Sequence, residues 1–198
     1  MCCGWCWAYK HGHERERTDR LNGKLIFILG GARSGTTLHA QKLAAQFGGR
    51  ITYVATAERG DDEMRERIAQ HRAARPAEWQ TIERPMHIGV VLVRCDAEVV
   101  VLDCVTLLVS NVMLAAGETA ATAQVEAQVR REIDNLLDAW HGAQFNMIVV
   151  SNEVGMGLVP TYPLGRTYRD VLGRANQQLA QAADEVIFMV AGLPMRVK

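Results

Sequence analysis

Eight consecutive residues carry the clearest chemistry in this chain: Gly30, Gly31, Ala32, Arg33, Ser34, Gly35, Thr36 and Thr37. They follow a short apolar run and open a helical pattern. In that setting a glycine-rich turn cradles phosphates, because glycines let backbone N–H groups converge and the helix N-terminus adds partial positive charge. The triphosphate-binding pattern G-x-x-x-x-G-K-S/T requires lysine where this chain has Thr36. That lysine spans the β- and γ-phosphates and offsets charge during phosphoryl transfer. Thr36 can donate a hydrogen bond but carries no charge, and Arg33 is the cation within the loop. Thr37 stands at the hydroxyl position that ligates Mg²⁺. Asp103 ends the apolar run EVVVLD and could hold the same ion, directly or through water. Plainer readings stand beside these: an ordinary glycine turn for the loop, and a helix cap for Asp103.

Such residues need elements that bring them together. KLIFIL (24–29), RITYVAT (50–56), EVVVLDC (98–104), FNMIVVS (145–151) and EVIFMVAG (185–192) are short, apolar and rich in β-branched residues, and read as buried strands. Between them lie helical patterns at about 37–47, 61–74, 105–116, 122–141 and 162–184. Gly48-Gly49 stops the first, and Arg75-Pro76 ends the second. Asp61 and Asp62 suit that second helix's start, with Met64, Ile68 and His71 along one face. Alternation of buried strands and helices predicts an α/β fold. With the loop included it is P-loop NTPase-like, a mostly parallel sheet with helices on both faces.

Composition narrows the function. Of 198 residues 48% are hydrophobic, which supports a folded core, and 22 basic side chains balance 22 acidic ones. A balanced chain has no global field for a nucleic-acid backbone or an anionic membrane, so any anion must be held by local geometry. No apolar run approaches the roughly 20 residues that span a bilayer, and MCCGWCWAY lacks the basic region of a secretory leader. A cytoplasmic protein with reduced thiols is expected. Residues 1–22 read as a variable, disordered extension. Within it Cys3, Cys6, His11 and His13 fit no familiar zinc spacing. Residues 24–198 read as a single nucleotide-binding α/β domain.

GGARSG, DDEMRERIAQHRAARPAEW, SNEVGMGLVP and RTYRDVLGRANQQLAQAADEV, in that order, resemble the bifunctional adenosylcobinamide kinase / adenosylcobinamide-phosphate guanylyltransferase family of cobalamin biosynthesis. The resemblance runs from about Lys24 to Lys198. It implies phosphorylation of a hydroxyl on adenosylcobinamide by a nucleoside triphosphate, then guanylyl transfer from GTP through a histidine. The nucleophile precedes an R-P-x-x-W motif in this family, which implies His71 here. Arg72, Ala73, Ala74 and Arg75 then belong to the nucleotide site, the two arginines suited to phosphates. By the same resemblance Ala55, Thr56 and Ala57 line a nucleotide loop, and Glu83 contacts the base. The Asn152–Gly157 loop faces substrate, and Arg166, Arg169 and Asp170 make phosphate, interprotomer or plain surface contacts.

The expected cofactors are GTP, ATP or GTP as phosphate donor, and Mg²⁺. The expected partners are adenosylcobinamide, its phosphate and further copies of the chain, a trimer by resemblance. Loss of the loop lysine should weaken γ-phosphoryl transfer more than guanylyl transfer, which breaks the bond at the α-phosphate. Two other readings are a non-catalytic GTP- or corrinoid-binding protein and a kinase of another small alcohol. His39, His87 and His141 have no matching partner set.

Overall fold

A computed structural model describes residues 23–58, 65, 66, 69, 72, 73, 75–117 and 119–198. Expectations placed on residues 1–22, Asp61, Asp62, Met64, Ile68, His71 and Ala74 fall outside the described residues. The described strands form one sheet: β1 (Leu25–Gly30), β2 (Ile51–Ala55), β3 (Gln80–Glu83), β4 (Val99–Asp103), β5 (Asn146–Asn152), β6 (Glu185–Val190) and β7 (Leu193–Arg196). Their spatial order is β3-β2-β4-β5-β1-β6-β7. Neighbours run parallel except β6 and β7. The described helices are α1 (Thr36–Phe47), α2 (Ile88–Leu92), α3 (Val105–Ala116), α4 (Thr122–His141) and α5 (Pro163–Ala182).

The central strands are apolar along most of their length because both faces are covered. Successive side chains alternate between two cores. Leu25, Phe27, Val100, Leu102, Met147 and Val149 face one core, shared with α3, α4 and α5. Ile26, Ile28, Tyr53, Val101, Ile148 and Val150 face the other, where Ala40 and Ala44 let α1 lie close. On α4 the buried stripe Val125, Val129, Ile133, Leu136 and Trp140 recurs every three or four residues, while Arg130, Arg131 and Asp134 are exposed. Ile133 is wholly buried, so Ile133→Ala would cost about 2–5 kcal/mol in lost transfer energy and residual cavity.

Three described elements lack the pattern expected of them. β3 is half-buried at its two middle residues, exposed at both ends, and has no apolar run. α2 has only five residues. The apolar stretch 185–192 is a strand followed by a turn: Ala191 (φ 50°) and Gly192 (φ 83°) reverse the chain into β7, which is exposed throughout. Two successive left-handed residues match the twist of an antiparallel pair.

Candidate functional site

The parallel strands deliver their carboxyl ends to one edge. Ala55 pairs with Glu83 on one side and Asp103 on the other, Asp103 with Val150, and Gly30 with Asn152. Four expected site positions therefore share an edge, where ligands of open α/β sheets bind. Gly30 ends β1, and a Cβ there would stand 2.5 Å from Ser34 Oγ and 2.7 Å from the Met189 carbonyl oxygen. The loop then folds on itself. Ser34 N–H donates to the Gly31 carbonyl at 3.1 Å, and Arg33 (φ 59°) and Gly35 (φ 95°) are left-handed. Gly35 caps α1, so the helix begins at Thr36 with its free N–H groups beside the loop. Gly192 N–H donates to the Ser34 carbonyl at 3.0 Å and Glu153 N–H to the Gly30 carbonyl at 2.9 Å, tying the loop to its neighbours. Ala32 and Arg33 are exposed, Thr36 is buried, and Ser34 Oγ is buried without a partner among the described residues.

Thr37 Oγ1 donates to Asp103 Oδ2 at 3.0 Å, bridging the first turn of α1 to the end of β4. The same carboxylate oxygen accepts a short hydrogen bond from the Tyr53 hydroxyl. Burial drives the Tyr53 pKa far upward, the Asp103 charge adds to this, and Arg75 opposes it, so the phenol remains a donor. The Arg75 guanidinium carbon lies 3.6 Å from the centre of the Tyr53 ring. A hydroxyl and a carboxylate at this spacing suit Mg²⁺, which takes one or two protein oxygens and completes its shell with water and phosphate. Among the described residues no three His, Cys, Asp or Glu side chains cluster as a metal site.

Thr56 lies beneath the edge. It is fully buried, and its polar groups are all engaged within the protein. Its N–H donates to the Asp103 carbonyl at 3.0 Å. Its hydroxyl donates to the Cys104 carbonyl at 2.7 Å and accepts from Cys104 N–H at 2.8 Å. Its own carbonyl accepts from Asn111 Nδ2 at 2.8 Å, and Asn111 also reaches the Pro85 carbonyl at 3.1 Å. This clamp fixes the backbone beside Asp103. Ala55 is buried and Ala57 half-buried next to it. The Cys104 thiol is pushed up to about 12 by burial and then by the Asp103 charge, which leaves it unreactive at neutral pH.

Among the remaining expectations, Arg72 lies 3.8 Å from Glu83 across exposed surface, and Ala73 is exposed. Arg166 is spent on the carbonyls of Pro160 (3.0 Å) and Thr161 (2.7 Å), where it pins the return of the loop after β5. Arg169 pairs with its neighbour Asp170 at 3.3 Å. Asn152 N–H is held by Thr106 Oγ1 at 2.8 Å, while Met156, Leu158 and Val159 stand exposed beyond it.

Tyr53 and Asn111 were not anticipated as parts of the site. The signals were there: a tyrosine hydroxyl in a strand buried along its whole length, and one amide inside the apolar helix VTLLVSNVMLAA. Buried polar groups of that kind need partners.

No described helix is long and apolar enough to cross a membrane. Residues 26–197 match the profile of the family described as cobinamide kinase / cobinamide phosphate guanyltransferase. The chain is 40% identical over 182 residues to the bifunctional adenosylcobalamin biosynthesis protein CobU of Escherichia coli, covering 88% of this chain and 99% of that one. It is 42% identical over 174 residues to the bifunctional adenosylcobalamin biosynthesis protein CobP of Pseudomonas aeruginosa, covering 86% and 95%. A crystal structure of the RadB recombinase aligns with a TM-score of 0.47 and 16% identity over 84% of this chain and 74% of that one. That likeness is too slight to carry an argument, and the fold rests on the sheet itself.

Proposed function

This chain belongs to the cobinamide kinase / cobinamide phosphate guanyltransferase family, and from that premise we propose that it makes adenosylcobinamide-GDP by guanylyl transfer from GTP to adenosylcobinamide phosphate. The observation that carries the reading is the Thr37–Asp103 pair, set beside a phosphate loop on the carboxyl edge. In the first half-reaction a neutral imidazole nitrogen of His71 attacks the α-phosphorus of GTP. A P–N bond forms, the bond to the β-phosphate breaks, and pyrophosphate leaves. In the second, an oxygen of the cobinamide phosphate attacks the same phosphorus. The P–N bond breaks, a P–O–P bond forms, and His71 is released.

The loop N–H groups and the α1 N-terminus bind phosphate oxygens, with Gly30–Gly35 giving the backbone its approach. Thr37 Oγ1 and the Asp103 carboxylate would hold Mg²⁺, which when bound offsets charge developing on those oxygens. Arg72 and Arg75 follow His71 by one and four residues and bring cations to the phosphates. Glu83 and the 55–57 segment border the site on the β2–β3 side. Kinase activity toward adenosylcobinamide, with ATP or GTP as donor, is the weaker activity, because Thr36 leaves the γ-phosphate without the loop lysine. The working form is a homo-oligomer, a trimer by family resemblance, in the cytoplasm. Residues 1–22 lie outside the catalytic domain, which accords with a family match that starts at residue 26.

The test uses the full chain with Mg²⁺ and GTP labelled separately at the α- and γ-phosphates. An acid-labile, alkali-stable α-label on His71, absent in His71→Asn and discharged by adenosylcobinamide phosphate, is the expected result. GTP binding with no α-label would sink the transferase reading in favour of a non-catalytic binding protein.

A further inference from the structure

Several basic side chains stand at the carboxyl edge, and they differ in what already engages them. Arg72 faces Glu83 at 3.8 Å, and Arg84 Nε gives its hydrogen to the Met86 carbonyl at 2.8 Å. Arg75 has no acidic partner among the described residues, and its Nε is buried without an acceptor there. What holds it is a ring: its guanidinium carbon lies over Tyr53, 3.6 Å from the ring centre. That ring is wholly buried, in register between Thr81 of β3 and Val101 of β4, so it is a rigid seat. Stacking engages the face of a guanidinium and leaves the N–H donors around its rim free to grip a phosphate bidentately. It also leaves the charge unneutralised, as a carboxylate partner would not.

The other end of Tyr53 reaches the metal-binding pair. Its hydroxyl donates to Asp103 Oδ2, the oxygen that also accepts from Thr37 Oγ1. A cation over the ring draws electron density from the phenol and strengthens that donation. Thr37, Asp103, Tyr53 and Arg75 thus form one connected chain from the phosphate loop to the segment after His71.

We propose that Tyr53 is a positioning residue for the nucleotide polyphosphate: its ring fixes Arg75 as a stationary cation of the site, and its hydroxyl holds the Asp103 carboxylate toward Thr37. The inference rests on the transferase reading in that the ligand is a nucleoside triphosphate. It assigns Tyr53 no contact with substrate.

The experiment is calorimetric titration of the full chain with inorganic tripolyphosphate and Mg²⁺ at low salt. Arg75→Gln should weaken binding about tenfold, the loss of one charge-assisted contact. Tyr53→Leu should weaken it by a similar factor, and the double variant should be no weaker than either single one, because both act through one cation. Tyr53→Phe keeps the ring and should hold affinity within about twofold, while shifting the Mg²⁺ dependence of binding to higher concentration. Arg75→Lys should restore little, since an ammonium does not stack as a plane. Wild-type affinity in Arg75→Gln, or losses that multiply in the double variant, would overturn the proposal. So would failure of the wild-type chain to bind tripolyphosphate. If Tyr53→Leu does not fold, Arg75→Gln and Tyr53→Phe decide alone. Binding needs no covalent adduct, so absence of guanylyl-histidine would count against the transferase reading without touching this result.

Discussion

Replacing Thr56 by valine preserves shape and removes one hydroxyl. In the folded chain that hydroxyl serves both backbone groups of Cys104, donating to its carbonyl at 2.7 Å and accepting from its N–H at 2.8 Å. Thr56 is fully buried, so no water replaces it. The Cys104 N–H is left unsatisfied, at about 1–3 kcal/mol, while its carbonyl loses one hydrogen bond but keeps that from Leu108 N–H at 3.1 Å, for a net loss of about 2–3 kcal/mol. Thr56→Ser removes a methyl and keeps both hydrogen bonds, so it should cost only about 1 kcal/mol. Against a typical total of about 5–15 kcal/mol the difference is large. Urea unfolding followed by far-ultraviolet circular dichroism measures it, with an unchanged m-value as the control for a common unfolded state. Because the clamp also fixes the backbone at Asp103, Thr56→Val should weaken Mg²⁺-dependent GTP binding where it remains folded, and Thr56→Ser should not. A serine variant as unstable as the valine variant would refute the reasoning, since packing rather than hydrogen bonding would then dominate.

Gly30→Ala should cost about 1–3 kcal/mol and abolish GTP binding. Its new Cβ meets the Met189 carbonyl of the neighbouring strand at 2.7 Å, and that backbone cannot move aside; calorimetric melting and nucleotide titration check both effects. Thr36→Lys should raise γ-phosphoryl transfer to adenosylcobinamide at least about tenfold and change guanylyl-histidine formation much less, read by parallel γ- and α-label assays. Stability should fall as pH rises from 9 toward 12. The Cys104 thiol ionises near 9.0 in the unfolded chain but only near 12 when folded, so its contribution is complete below pH 9 and declines by up to about 1.4 kcal/mol per pH unit above it. Cys104→Ala should flatten the first part of that decline, with Tyr53 and Tyr168, both raised by burial, sustaining it above pH 10.

Much of the sheet was legible because its buried strands are short, apolar runs bounded by turn residues, as LIFILG is. Elements that depend on partners were not. QTIE becomes β3 only because β2 offers it an unpaired edge, and LPMR becomes β7 only after Ala191 and Gly192 turn it back onto β6. The loop and Asp103 could be named from position, and the register of β1 and β4 on β5 places them on one edge. Their connection could not be read in advance. Tyr53 reads as a β-former packed in a strand, and nothing local reveals that its hydroxyl ends on Asp103, 50 residues away. Asn111 is similar, a helix residue whose partners Thr56 and Pro85 come from two other segments.

The two family reactions make different demands on this edge, and Thr36 separates them. On the proposed reading, both need phosphate oxygens held by the loop and the Thr37–Asp103 pair. Moving the γ-phosphoryl group needs a cation between the β- and γ-phosphates, which is where the loop pattern puts its lysine. Attack at the α-phosphorus releases pyrophosphate from the opposite side and needs charge near the histidine. Arg75, held in place on Tyr53 and four residues after His71, is placed along the chain for that second demand. On the reading proposed above, a threonine at position 36 would shift the balance between the activities rather than remove both. The same logic explains why the effect of Thr36→Lys must be read on each phosphate separately: a single overall rate would average a large gain with a small one.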